Sequence, residues 1–392
     1  MRLKYIISIV LIIGNNLLSA QSEIDIILNQ IETNNKTLIS ARQKMEVDIW
    51  EHKSNLFPDN PDITYGYFPG NNPVIGNKEV IGIHQNFSFP LSYITNGKIS
   101  RTHNELSKFE YQIIRQEVLL QTKLNLYDLI FKQQQFIEYE KRLKNATKLN
   151  ESNKQQLESG NISVIEANKA KVLLIVVESK YKKIEQELLS IENELVKLNG
   201  GVTIQLSITD YNDQKLLSLD SIKNELFNKL PQLKFSNYLL ELALLNKKSK
   251  KQNWFPDFQI GYQAEKESQG TFRGIHAGIS IPLWNNINKV KSAKANVIFA
   301  ENKQDEERSN YLATIEMYYA KAKKYQSILD DIENTMDVAM NVSLLNKAFE
   351  KKEISVIEYI NEISFYNELI DIYLETKKEY YQTLALLYIY RL

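Results

Sequence analysis

Along residues 79–89 and 271–281 apolar side chains alternate with small or polar ones. In the first run Ile81, Ile83, Phe87 and Phe89 fall on one side, and Gly82, His84, Asn86 and Ser88 on the other. In the second, Ile275, Ala277, Ile279 and Ile281 oppose Gly274, His276, Gly278 and Ser280. Period two is the side-chain repeat of a strand, so each run predicts a strand with one apolar face. A shorter strand precedes each: Ile63 to Tyr67, and Phe258 to Glu265. Each hairpin then hands over at Pro90-Leu91 or Pro282-Leu283 to a helical pattern. Leu106, Phe109, Ile113, Leu120, Leu124, Tyr127 and Phe131 make a heptad seam, as do Val177, Tyr181, Ile184, Leu188, Ile191, Leu195 and Leu198. Tyr311, Ile315, Tyr318, Ala322, Tyr325, Leu329 and Ile332 repeat it in the second half.

The two halves are copies. Gly82 to Leu91 matches Gly274 to Leu283, and Ile162-Ser163-Val164-Ile165-Glu166 recurs as Ile354-Ser355-Val356-Ile357-Glu358, both 192 residues later. Pro61-Asp62-Ile63-Thr64-Tyr65-Gly66-Tyr67 resembles Pro256-Asp257-Phe258-Gln259-Ile260-Gly261-Tyr262. Three matches in the same order predict a duplicated unit of helix, β-hairpin and long coiled-coil helical hairpin, mainly α with a β part.

The boundaries follow. Residues 1–20 read as a secretory signal, with Arg2 and Lys4 before the apolar run Ile6 to Ile13 and a cut after Ala20. The first repeat spans 21–201, with one helix over 23–56, strands near 62–68 and 79–89, and a helical hairpin over 91–199. Glu158-Ser159-Gly160-Asn161 is its reversal and Asn199-Gly200-Gly201 its stop. Residues 202–218 connect to the second repeat, 219–392, with strands near 257–265 and 271–281 and a helical hairpin over 283–390. There Pro231 marks a kink or break, and Glu350-Lys351-Lys352-Glu353 replaces the glycine turn.

Composition narrows the chemistry. Basic and acidic side chains balance at 48 each, which gives no reason to expect nucleic acid as a partner. There is no Cys, so disulfides, thiolate metal sites, Cys nucleophiles and a lipidated N-terminal Cys are all excluded. No phosphate loop, zinc-protease motif or nucleophile elbow appears, and no cofactor or enzymatic activity is expected. No later run is apolar enough for a spanning helix, so any bilayer contact falls to the strands. Isolated two-stranded hairpins are marginal in water. Four strands are too few to close a barrel, for which about eight is the bacterial minimum, and lipid tolerates no open sheet edge. The hairpins should therefore be pooled from several chains.

This order of elements resembles the TolC family of outer-membrane efflux proteins. The similarity rests on Phe89-Pro90-Leu91 and Ile281-Pro282-Leu283 at the strand-to-helix passage, and on Gly160 to Glu166, with Lys352 to Glu358 as a weaker copy lacking the glycine. It implies a homotrimer in the outer membrane. Its chains would pool strands into a twelve-stranded β-barrel continued by a periplasmic α-helical tunnel. It implies passive conduction of exported substrates, with a periplasmic adaptor and an inner-membrane pump (RND, ABC or similar) as partners. The chain departs from the family in being short and in ending with its last helix.

The resemblance assigns roles by residue. Tyr65, Tyr67, Ile81, Ile83, Phe87, Phe89, Phe258, Ile260, Tyr262, Ile275, Ile279 and Ile281 would face outer-membrane lipid. His84 and His276 would line the barrel lumen or its interface belt; neither copy adds a carboxylate or second His at ligand spacing, so no metal is assigned. Glu358, Asn361 and Glu166 would ring the tunnel mouth, against the plainer reading of a solvated helix face. Ser159, Gly160, Asn161, Lys352 and Glu353 would touch the adaptor. The tyrosines of the long helices read as packing. The competing reading is a secreted, soluble coiled-coil scaffold without a pore, which should not carry such hairpin faces bare.

Overall fold

A computed structural model describes residues 23–54, 56–71, 76–211, 215–284, 286–339 and 342–392. The expected secretory signal lies outside them. Two compact units are present, and each draws on both repeats. One comprises the described residues up to Ser40 with Ile114–Asn228 and Leu312–Leu392; the other is Ala41–Ile113 with Lys229–Tyr311.

The second unit carries the sheet. β1 (Asp62–Phe68), β2 (Lys78–Phe87), β3 (Asp257–Glu267) and β4 (Gly270–Ser280) pair antiparallel in chain order. The two hairpins join through β2 and β3, with Ile83 opposite Tyr262 and Phe87 opposite Phe258. Both outer edges, β1 and β4, have a neighbour on one side only. Phe89 and Ile281 lie just past the strand ends; after Phe89, Pro90 starts the next helix at the position where a missing N–H costs nothing.

The helices are divided between the two units. The single helix expected over 23–56 is two, α1 (Glu23–Asn34) and α2 (Lys36–Ser54). Asn35 separates them because its side chain accepts from Leu38 N at 3.0 Å and donates to Leu198 O at 2.8 Å. That is capping chemistry in a buried side chain. α3 (Pro90–Glu158) and α4 (Val164–Leu198) form the first long helical hairpin. Pro231 breaks the next segment, as expected, into α5 (Leu219–Lys229) and α6 (Pro231–Gln252). The second hairpin begins later than the expected Leu283. α7 (Lys289–Ala339) starts after Asn288, which takes a positive φ of 62°. α8 (Val342–Glu350) and α9 (Val356–Leu387) follow.

The heptad seams supply part of the core, while Leu126, Leu129 and Ile130 of α3, outside the expected seam, are fully buried. Tyr127, Leu195, Ile315 and Ala322 are fully or almost fully buried. Ile24, Ile27, Leu28 and Ile31 of α1 pack on Leu126, Leu129 and Ile130 of α3 and on Leu195 and Leu198 of α4. Burying one such side chain contributes about 1.5–3 kcal/mol. Arg115 of α3 donates from Nε and Nη2 to the two carboxylate oxygens of Glu32, both at 2.6 Å. Arg142 of α3, nearly buried, pairs with Asp371 of α9 at 2.8 Å and lies over the Tyr139 ring.

Candidate functional site

The sheet has one bare apolar face. Paired positions on neighbouring strands share a face, so the register places Tyr65 with Ile81, and Ile83 with Tyr262 and Ile275. Ile260, and Phe87 with Phe258 and Ile279, complete the same side. Tyr67 and Ile63 join it, the latter a residue the sequence reading left out. Ile275 is 81% exposed, and Tyr65, Ile81, Ile260 and Ile279 are exposed too. A contiguous exposed apolar surface on a monomeric sheet marks a face that meets another medium or molecule.

Each end of this face has its own chemistry. Toward the hairpin tips Lys266 pairs with Glu79 at 4.0 Å. At the helix end stand Phe57, Trp254, Phe255 and Trp284, all exposed. Phe89 stacks on Phe255 with centroids 4.5 Å apart. Trp and other aromatics at such an end resemble an interfacial girdle. They lie outside the alternating runs and so carry no periodic signal in the sequence.

The opposite face is polar and rich in glycine, and there two histidines from different repeats meet. His84 and His276, each without a second His within its own copy, lie against each other. Gly261 of β3 sits between them in register, and His84 Nδ1 lies 2.8 Å from His276 Nε2. A side chain at Gly261 would put its Cβ 2.6 Å from His84 Nδ1 and against the His276 ring. Glycine is thus what lets the two rings close over the strand.

The reversals of the helical hairpins belong to the first unit. Gly160 has φ 71° and Lys352, its counterpart, φ 61°. In each turn one N–H reaches back three residues and the next reaches back five: Gly160 to Leu157 O and Asn161 to Gln156 O, Lys352 to Phe349 O and Glu353 to Ala348 O. These are two Schellman caps of the same geometry. Lys352 therefore carries the left-handed backbone that glycine relieves in the first copy. Ser163 and Ser355 then cap α4 and α9 in matching capping boxes. Glu166 and Glu358 each accept from the capping Ser N–H at 2.8 Å. That backbone hydrogen bond, helped by the Ser side chain, holds both carboxyls below the ordinary range. Both glutamates are thus helix-capping groups at the tip, Glu358 exposed and Glu166 half-buried, and Asn361 is exposed one turn on from Glu358.

A small core under the turns brings them together. Leu149, Ala170 and Tyr359 are its buried residues, with Phe349 and Ile354 packed against them. The copies differ in what they show outside. Val164 and Ile165 are 61% and 69% exposed, whereas Val356, the counterpart of Val164, is 5% exposed. Nothing in the sequence distinguishes this exposed apolar pair from its counterpart, because both copies read Ser-Val-Ile-Glu.

Among the described residues no helix is long and apolar enough to cross a membrane. No group of three or more His, Cys, Asp or Glu could hold a metal ion among them. No protein-family model matches the chain, and no curated protein sequence matches it. Solved structures do. The CmeC outer membrane channel of Campylobacter jejuni superposes with a TM-score of 0.76 at 14% identity, covering 94% of this chain and 85% of that one. The outer-membrane channel OprN gives 0.75 at 13% identity, covering 94% and 89%. The outer membrane protein VceC of Vibrio cholerae gives 0.73 at 11% identity, covering 94% of each chain. Over 94% of its length the chain has the fold of these outer-membrane channels, the TolC-like fold expected from its strand-to-helix and turn motifs.

Proposed function

We propose that this chain is one third of an outer-membrane channel for export. Three copies would join edge to edge, β1 of one chain on β4 of the next, into a twelve-stranded barrel. The helical hairpins would continue it as a periplasmic tunnel. The observation that carries this reading is the bare apolar face on a sheet with two open edges. Strands of 10 and 11 residues suit a tilted bilayer crossing, and lipid requires every edge to be paired. A soluble scaffold is not favoured, since it would leave Ile275, Ile279 and Tyr65 in water.

In this reading the channel conducts passively, and an inner-membrane pump (RND, ABC or similar) drives export through a periplasmic adaptor. The adaptor would dock on the turns, touching Ser159, Gly160, Asn161, Lys352 and Glu353, with Val164 and Ile165 as an apolar anchor beside them. Exposed turns on rigid helices favour such contacts. Glu166, Glu358 and Asn361 would ring the mouth, and three copies of each carboxylate would favour cations. The test is single-channel recording on the purified protein in planar bilayers. Discrete conductance steps are expected; a protein that is monomeric in detergent and silent in bilayers would contradict the proposal.

A further inference from the structure

We propose that His84 and His276 form a site for a divalent transition-metal ion, one per chain, on the polar face of the sheet. The two rings come from different repeats and meet with nitrogen facing nitrogen, Nδ1 to Nε2 at 2.8 Å. Two imidazoles on one ion at about 2.0–2.1 Å hold their nitrogens about 2.9–3.3 Å apart for angles between square and tetrahedral. An ion could therefore replace the bridging proton with a shift of about half an ångström. Both histidines stand on paired strands with Gly261 between them, so their spacing is set by the sheet.

The surroundings favour a ligand over a purely structural pair. His84 Nε2 lies 3.4 Å from Thr64 Oγ1, and Thr64 Oγ1 lies 3.5 Å from Gly82 O. A proton on His84 Nε2 leaves the Nδ1 lone pair facing His276, the arrangement in which an outer-shell partner orients a ligating imidazole. His276 Nδ1, the ring nitrogen turned away from His84, is buried with no hydrogen-bond partner and would take the proton that an ion displaces from Nε2. Asp62 is opposite His84 on β1 and adds negative charge. Two imidazoles suit zinc, copper or nickel and do not suit calcium or magnesium, which take oxygen ligands. Water would complete the coordination, leaving an exchangeable ion. The other two histidines serve as an internal control. His52 and His103 stack with centroids 4.7 Å apart and planes 22° apart, so their nitrogens do not converge on a point.

The site lies within one chain and does not depend on the channel reading. The experiment is Zn2+ titration calorimetry on the full protein in detergent, with Cu2+ electron paramagnetic resonance on the same unmutated sample. One ion per chain and a spectrum with two equatorial nitrogens are expected. Losing even an outer-shell partner costs about 10–100-fold in affinity, so His84→Gln and His276→Gln should each weaken zinc by at least about tenfold. His52→Gln/His103→Gln should bind as the parent does. Zinc binding unchanged in the His84→Gln/His276→Gln protein, or a copper spectrum without two nitrogens, would overturn the proposal. Since the spectrum needs no variant, misfolding of the Gln proteins would not shield it. Absent binding in a protein that conducts would sink this site alone.

Discussion

Gly274 and Ile275 are neighbours on β4 and point to opposite faces, so one substitution at each separates lipid from lumen. Ile275 is 81% exposed on the apolar face. Arg there would sit in the hydrocarbon of the proposed barrel, where a charge on the lipid side costs about 2–4 kcal/mol at mid-bilayer. Three copies make about 6–12 kcal/mol per trimer, comparable with the whole stability of a domain, about 5–15 kcal/mol. A Cβ added at Gly274 meets nothing within 4 Å, and no positive φ requires glycine there. Gly274→Arg should therefore assemble, with its guanidinium in the lumen. The assay is the yield of heat-dissociable trimer in outer-membrane fractions. Ile275→Arg should lose most of it and Gly274→Arg should keep it. If both assembled equally the apolar face would not meet lipid. A soluble scaffold predicts that result, since surface changes usually stay within about 0.5 kcal/mol.

Three further outcomes follow from the helical unit. Lys352→Gly should stabilise its turn by about 1 kcal/mol and Gly160→Ala should destabilise the matching turn by a similar amount; local amide exchange reads both, and shifts of the same sign would refute the strain argument. Glu166 and Glu358 are charged by preference in the folded turn, so their contribution is present above the ordinary Glu value of 4.5 and is lost as pH falls through their lower folded values. The N-terminal amides of α4 and α9 should fray below that window, while Glu166→Gln and Glu358→Gln should keep the cap and remove the pH dependence, as amide exchange against pH will show. Asp371→Ala should cost about 2–3 kcal/mol in denaturant unfolding, below the about 3–5 kcal/mol of a fully buried pair because Asp371 stays 32% exposed; a loss under about 0.5 kcal/mol would mean that Arg142 finds another partner.

The sheet and the long helices were legible in the sequence because their signals are periodic. Alternation placed Ile81, Ile83, Ile275 and Ile279 on one face, and the register agrees. Features set by single side chains were not legible. Asn35 divides the first helix by bonding to Leu38 and Leu198, and its long-range partner is 163 residues away. Asn288 delays α7 by taking a positive φ, with no glycine to announce it. The second turn lacked its glycine, yet the Schellman bonds impose the same backbone on Lys352. The histidine contact was hidden for another reason. His84 and His276 are 192 residues apart, and only the pairing of β2 with β3 reveals that the hairpins lie side by side.

Closure of the proposed barrel can be measured by disulfide crosslinking, because the natural chain has no Cys to interfere. β1 and β4 are opposite edges of a four-stranded sheet. Three gaps of about 4.8 Å separate them by about 14 Å, beyond the about 7 Å reach of a disulfide. A cysteine at Tyr65 with one scanned from Phe272 to Ile279 can then join only different chains. Oxidation in the outer membrane should give a ladder that stops at three chains, strongest at one register. No crosslink at any register, or a ladder running past three, would contradict a closed trimeric channel.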